Sequence, residues 1–249
     1  ASGVIPQITA VFGNCGGGLA LIPAMTDFAF MEEKKAKLFV NSPNALEGNE
    51  ISRCDTSAAA FQSEETGLVD MVADEASILA QIRQLVSILP ANNADYALTD
   101  CTDDLNRACA QIARCVGDTA NALSQIADDG LFVEVKQDYA KDMVAGFIRL
   151  NGATVGAVAN RTEVYDADGE VTDKFDAVLS ARGAEKAAEF VTFCDAFDIP
   201  VLSLTNVTGF AATKCSEKRM AKAVGRLTYA FANATVPKVN VVIGKAYGS

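Results

Sequence analysis

The strongest constraint on how this chain folds is a repetition. The stretch IPQITAVFGNCGGG, residues 5–18, aligns without a gap to VPKVNVVIGKAYGS, residues 236–249. Pro6 falls on Pro237, Gly13 on Gly244 and Gly17 on Gly248, each 231 residues further along. An apolar run that breaks at glycine reads as a buried strand entering a turn, and two copies of that unit imply two domains of one fold.

The glycines could serve several chemistries, and spacing removes two of them. A phosphate loop needs Gly-x-x-x-x-Gly-Lys followed by Ser or Thr, and a dinucleotide fold needs Gly-x-Gly-x-x-Gly at the start of a helix. Neither occurs here. Two readings remain open: a plain turn, or a turn whose consecutive backbone N–H groups point at a developing negative charge, with no Cβ to keep a ligand away.

Composition narrows the choice further. The chain has no histidine, which removes Ser-His-Asp and Cys-His catalysis together with His-based metal sites. An enzyme built this way must move protons by other means, and no metal site is expected. A net charge of −11 without clustered Lys or Arg argues against a nucleic-acid surface. The seven cysteines form no Cys-x-x-Cys pair and read as reduced, unpaired thiols. No window is long and apolar enough for a membrane span, and no signal segment opens the chain, so a cytoplasmic protein is expected.

Periodicity along the chain predicts alternating α and β elements. Residues 5–12, 28–31 and 38–40 read as strands, and residues 55–66 as a helix. In GLVDMVADEASILAQIRQLVSIL a strand gives way at Asp74 to an amphipathic helix ending at Leu89. Residues 90–102 are rich in turn formers and read as a linker, followed by a helix over 103–126. FVEV, DMVAGFIRLNG and ATVGAVANR read as strands, with Asn151-Gly152 as a two-residue hairpin turn. The acid-rich segment 162–175 reads as a solvated loop. A helix over 181–197, a strand over 199–207 broken at Thr208-Gly209, a helix over 217–234 and a last strand over 237–244 complete the pattern. The domain boundaries expected are 1–92 for the first domain, 93–128 for a helical linker region and 129–249 for the second.

With these motifs in order, the chain resembles the carboxyltransferase subunits of biotin-dependent acyl-CoA carboxylases, of the propionyl-CoA carboxylase β type, and the related α subunits of sodium-pumping acyl-CoA decarboxylases. ASGVIPQITAVFGNCGGG followed by PAMTDFAFM is similar to the first glycine site of that family. FVEVKQDYAKDMVAGFIRLNGATVGAVAN is similar to the entry of its second domain, and RGAEKAAEFVTFCDAFDIPV, NVTGF and YAFANATVPKVNVVIGKAYGS follow in the family's order. The resemblance implies an α/β fold of tandem crotonase-like (ClpP/crotonase) ββα-superhelix domains. On family length, it implies a fragment holding the later part of the first domain and the earlier part of the second.

The resemblance also implies a mechanism suited to a chain without histidine. In such enzymes glycine-turn N–H groups hold the acyl-CoA thioester oxygen and the biotin ureido oxygen. Carboxybiotin releases CO2, the biotin anion removes the α-proton of the acyl-CoA, and the enolate attacks CO2. Carried over by position, Gly17 and Gly18 would polarise the thioester with Gly16 beside them, while Gly248 and Ser249 would face biotin. Gly209, Phe210 and Tyr247 would contact substrate or cofactor, although a simple turn explains Gly209 equally well. The cofactor implied is biotin on a carrier protein. The partners implied are acyl-CoA, the biotin carboxyl carrier protein, a biotin carboxylase subunit and further copies of the chain, in a hexamer built from dimers.

Asn206 and Thr208 stand where the family carries Asp and Pro, and Lys222-Ala223-Val224 replaces its Arg-His-Gly run. A divergent acyl specificity or a decarboxylating member is therefore an alternative, as is a non-catalytic scaffold that keeps the fold. A biotin-independent CoA hydrolase or isomerase would need a carboxylate beside the first glycine turn. Asp27 and Asp70 are the nearest in sequence, and neither is convincing.

Overall fold

Asn151 and Gly152 both take positive φ, +54° and +77°, the conformation that a two-residue hairpin turn demands. They join β7 (Met143–Leu150) to β8 (Ala153–Asn160) in an antiparallel ladder of eight residue pairs. Asp128 locks the turn by accepting the N–H groups of Asn151 at 3.0 Å and Gly152 at 2.7 Å. The computed structural model describes residues 2–166 and 168–247. By its contacts the chain divides into two compact units, 1–92 with 136–139, and 93–135 with 140–249.

The first unit holds a parallel sheet in the order β1-β3-β5, made of Ile8–Val11, Phe28–Glu32 and Met71–Ala73. A second parallel pair, β2 (Asn14–Gly16) and β4 (Lys37–Phe39), lies beyond the break at Gly13. Between β2 and β3 the chain makes a tight 3-10 turn, Gly17–Ala20, and one short helix, α1 (Leu21–Met25). Helix α2 (Glu75–Ile88) starts where Asp74 accepts the N–H groups of Ala76 and Ser77, an N-cap that the sequence announces. Every residue of β3 is buried, and Met31 packs with Val11, Leu38 and Val69.

The second unit is a five-stranded sheet in the order β12-β11-β8-β7-β6, adding β6 (Phe132–Glu134), β11 (Val201–Val207) and β12 (Lys238–Ala246). Strands β8, β11 and β12 run parallel. Helix α3 (Thr119–Ile126) packs through Ala122 and Leu123 on Val144, Ile148 and Leu204. Helix α4 (Ala181–Ala196), capped by Ser180, buries Phe190 and Cys194 against Gly156, and α5 (Lys214–Asn233), capped by Thr213, packs against α4 through Ala223 and Met220.

Three expectations differ from the structure. The helix expected over 103–126 is α-helical only in α3, because Asp104 closes a turn on the Asn106 N–H. Arg107 then reaches the carbonyls of Gln125 and Ala127, and this folds the segment back on the end of α3. The helix expected over 55–66 shrinks to its later turns, including a π-helical stretch Phe61–Glu65. Here Asp55 takes the Ser57 N–H and hydroxyl in a local turn that competes with helix. The acid-rich segment is no plain loop but an antiparallel pair, β9 (Glu163–Tyr165) with β10 (Val171–Lys174), joined by a turn in which Asp166 accepts the N–H groups of Asp168 and Glu170.

Candidate functional site

The three glycines at 16, 17 and 18 are there for three different reasons. Gly16 has ordinary extended geometry, φ −117° and ψ 158°, yet a Cβ on it would lie 2.7 Å from Cζ of the Phe39 ring. Gly17 has φ +64°, where a side chain costs about 1–2 kcal/mol, although open space surrounds it. Gly18 has neither restriction, and nothing would touch a Cβ there. Glycine at 18 leaves bare backbone toward open space, as close approach by a ligand requires.

The turn begins without a side-chain cap. In a 3-10 helix the first N–H groups lie outside the internal bonding, and here those are the N–H groups of Gly17 and Gly18. Backbone donors at the start of such a turn are the kind of preorganised dipole that can meet an oxyanion. Next to them, burial pushes the Cys15 thiol up. Leu19, Leu21, Ile22 and Met25 form an exposed apolar rim along the turn and α1.

The carboxylates nearest in sequence are committed elsewhere. Asp27 precedes β3 and accepts the Gln7 N–H at 2.7 Å, at the amino ends of β1 and β3 and so at the opposite end from the glycine turn. Burial pushes the Asp27 carboxyl above the usual carboxylate range, with the Gln7 N–H pulling the other way. Asp70 is buried and accepts the Ala29 N–H at 2.7 Å, where it ties β3 to the start of β5.

In the second unit the expected contact residues gather at the carboxyl ends of β11 and β12. Gly209 takes φ +154°, which glycine tolerates and other residues seldom adopt, and its carbonyl accepts the Leu179 N–H at 2.9 Å. Phe210 bridges to Leu179 and is partly exposed. Tyr247 donates its N–H to the Val207 carbonyl at 3.0 Å and turns its side chain outward. Gly248 and Ser249, assigned to biotin by resemblance, lie outside the described residues. Ligands of parallel α/β sheets commonly bind beyond such strand ends.

A family model for the carboxyl transferase domain matches residues 1–249. The chain belongs to the carboxyl transferase family. It is similar to the propionyl-CoA carboxylase beta chain of Roseobacter denitrificans, 36% identical over 261 residues that cover 100% of this chain and 49% of that protein. It is also similar to the methylmalonyl-CoA decarboxylase subunit alpha of Propionigenium modestum, 32% identical, with 99% of this chain and 48% of that protein covered. Among solved structures, transcarboxylase 12S, described as a hexamer with hydrolysed methylmalonyl-coenzyme A bound, superposes with a TM-score of 0.85 at 32% identity over 97% of this chain and 47% of its own. The fold is thus the mixed α/β, crotonase-like fold of carboxyl transferases. The chain spans about half the length of the curated relatives it matches.

Within this carboxyl transferase domain two supporting residues escape a reading of the sequence alone. Phe39 reaches Gly16 only because the β2–β4 register sets them opposite each other. Asn206, visible beforehand only as a departure from the family pattern, accepts the Lys245 N–H at 3.0 Å and steadies the end of β12. Among the described residues, no cluster of His, Cys, Asp or Glu is placed to hold a metal, and no helix is long and apolar enough to cross a membrane.

Proposed function

We propose that this chain forms part of a carboxyltransferase that moves a carboxyl group between a biotin carrier and a short acyl-CoA of the propionyl or acetyl type. The observation that carries this reading is the uncapped turn at Gly17 and Gly18, in a chain that belongs to the carboxyl transferase family. The two N–H groups would hold the thioester oxygen as α-deprotonation turns it into an enolate, and the loss of one such donor typically raises a barrier by about 3–4 kcal/mol. Leu19, Leu21, Ile22 and Met25 beside the turn favour an apolar acyl group over a charged one.

Biotin on a carrier protein would supply the carboxyl group and the base, which suits a chain with no histidine. For this chain's own residues, the part left is to hold and orient. Tyr247 and Asn206 fix the strand that leads to Gly248 and Ser249, the residues we assign to the biotin side. A biotin carboxylase subunit, a biotin carboxyl carrier protein and a hexamer built from dimers complete the proposed assembly, in the cytoplasm. The same donors serve carboxylation and decarboxylation, and the similarity to a methylmalonyl-CoA decarboxylase subunit favours keeping the second direction as the alternative.

The test is transfer of labelled carboxyl from methylmalonyl-CoA or malonyl-CoA to free biotin by the full-length gene product. Transfer that disappears in Gly17→Val supports the reading. A folded oligomer with no transfer from either ester refutes it and leaves the scaffold role.

A further inference from the structure

The glycine turn has a support that its own residues do not provide. In the parallel β2–β4 pair the register sets Asn14 opposite Lys37, Cys15 opposite Leu38 and Gly16 opposite Phe39. The ring of Phe39 covers the bare Cα of Gly16, with Cζ 2.7 Å and Cε2 2.8 Å from the place a Cβ would occupy. Aromatic cover of a glycine on the neighbouring strand is a known way to stiffen a weak ladder position. Here the covered residue is also the last one before the turn. The peptide that links Gly16 to Gly17 carries the Gly17 N–H, so whatever fixes Gly16 aims that donor.

The strand that carries Phe39 is anchored at its two preceding residues. The Leu38 N–H donates to Ser57 O at 3.0 Å, and Gln62 Nε2 donates to Leu38 O at 3.0 Å. Lys37 Nζ pairs with Asp55 at 2.6 Å. Strand β4 is thereby tied on the side away from β2, which fixes the backbone from which the Phe39 ring projects onto Gly16. Backbone strain does not explain why residue 16 is glycine, since its φ of −117° suits any residue.

We infer that Phe39 is the positioning residue of the glycine turn: its ring, seated on Gly16, sets the direction of the Gly17 N–H donor for the carboxyl transfer proposed above. The inference rests on that functional reading. Misplacement of a catalytic group by about 1 Å can cost about 100-fold in rate, which sets the size of the effect to look for.

The experiment is steady-state kinetics of methylmalonyl-CoA to biotin transfer, with thermal midpoints, on full-length Gly16→Ala, Phe39→Ala, Phe39→Leu and the double variant Gly16→Ala with Phe39→Leu. Leucine lacks the outer ring atoms that a Cβ at 16 would strike. Gly16→Ala is expected to lose about 30-fold or more in kcat with KM changed less than about threefold, and Phe39→Ala about tenfold in the same pattern. The double variant is expected to regain about tenfold over Gly16→Ala, and Phe39→Leu alone to lie between wild type and Phe39→Ala. An active wild type whose folded Gly16→Ala variant is not rescued, or a Phe39→Ala variant with unchanged kcat, overturns the role of Phe39 alone. A wild type without transfer overturns the functional reading and this inference with it.

Discussion

Asn206 and Gly244 face each other across the β11–β12 ladder so closely that a Cβ on Gly244 would lie 2.4 Å from Asn206 Oδ1. That oxygen also accepts the Lys245 N–H, at the point where the register between the two strands shifts. Gly244→Ala should therefore cost about 1–3 kcal/mol through overpacking, and Asn206→Ala on that background should recover part of it. Asn206→Asp keeps the acceptor and should stay within about 1 kcal/mol of wild type, whereas Asn206→Ala alone should lose about 1 kcal/mol. Urea denaturation of the four variants measures all of these.

Gly17 and Gly18 separate backbone strain from ligand access. Gly17→Ala should cost about 1–2 kcal/mol, because its φ of +64° is unfavourable for any side chain, while Gly18→Ala should stay within about 0.5 kcal/mol because its surroundings are open. Carboxyl transfer should nonetheless fall in both. A Gly18→Ala protein with full stability and full activity would show that no ligand approaches the turn there.

In the second unit, Gly156 leaves room for the buried pair Cys194 and Phe190. A Cβ at 156 would meet Cys194 Sγ at 2.4 Å and Phe190 Cε1 at 3.1 Å, both fixed in the face that α4 packs on the sheet. Gly156→Ala should destabilise by about 1–3 kcal/mol, and Cys194→Ala should relieve it, since it removes the sulfur that is struck. Thermal midpoints of the two single variants and the double variant decide this.

Glu32 predicts a pH dependence. The Lys35 N–H foremost, then those of Lys34 and Ala36, donate to its carboxylate and hold it below the usual carboxylate range. The folded protein then binds fewer protons at this site than the unfolded chain, whose value is about 4.3. Its contribution is present above that value and is lost as pH falls through the folded one. Glu32→Gln should be less stable than wild type near neutral pH, with the difference shrinking as pH falls below the unfolded value. Denaturation midpoints measured across that range would refute the assignment if the gap widened on the acid side.

Much of the molecule was legible before any coordinates, and the reasons are local. The buried strands around Phe30, Val144 and Leu204, the Asp74 cap and the Asn151-Gly152 turn each rest on apolar spacing or on backbone preferences carried by the residues themselves. The first copy of the repeated strand was legible for the same reason, whereas the second runs on through Gly244 to Ala246 instead of ending at that glycine. Sequence failed where side chains compete for the backbone over distance. Arg107 draws residues near Asp103 onto the end of α3, and Asp55 keeps its own neighbours out of a helix.

What the sequence alone determined is the kind of backbone this chain must have: alternating α and β elements, a strand that ends in a run of glycines, and motifs of the carboxyl transferase family in a chain without histidine. Tertiary structure decided what each glycine is for. Gly16 yields to a ring from another strand, Gly17 answers a backbone angle and Gly18 faces open space. Composition and spacing cannot tell these apart, because the Phe39 ring reaches Gly16 only once strand pairing has set the register, and a φ angle is fixed by the turn that forms.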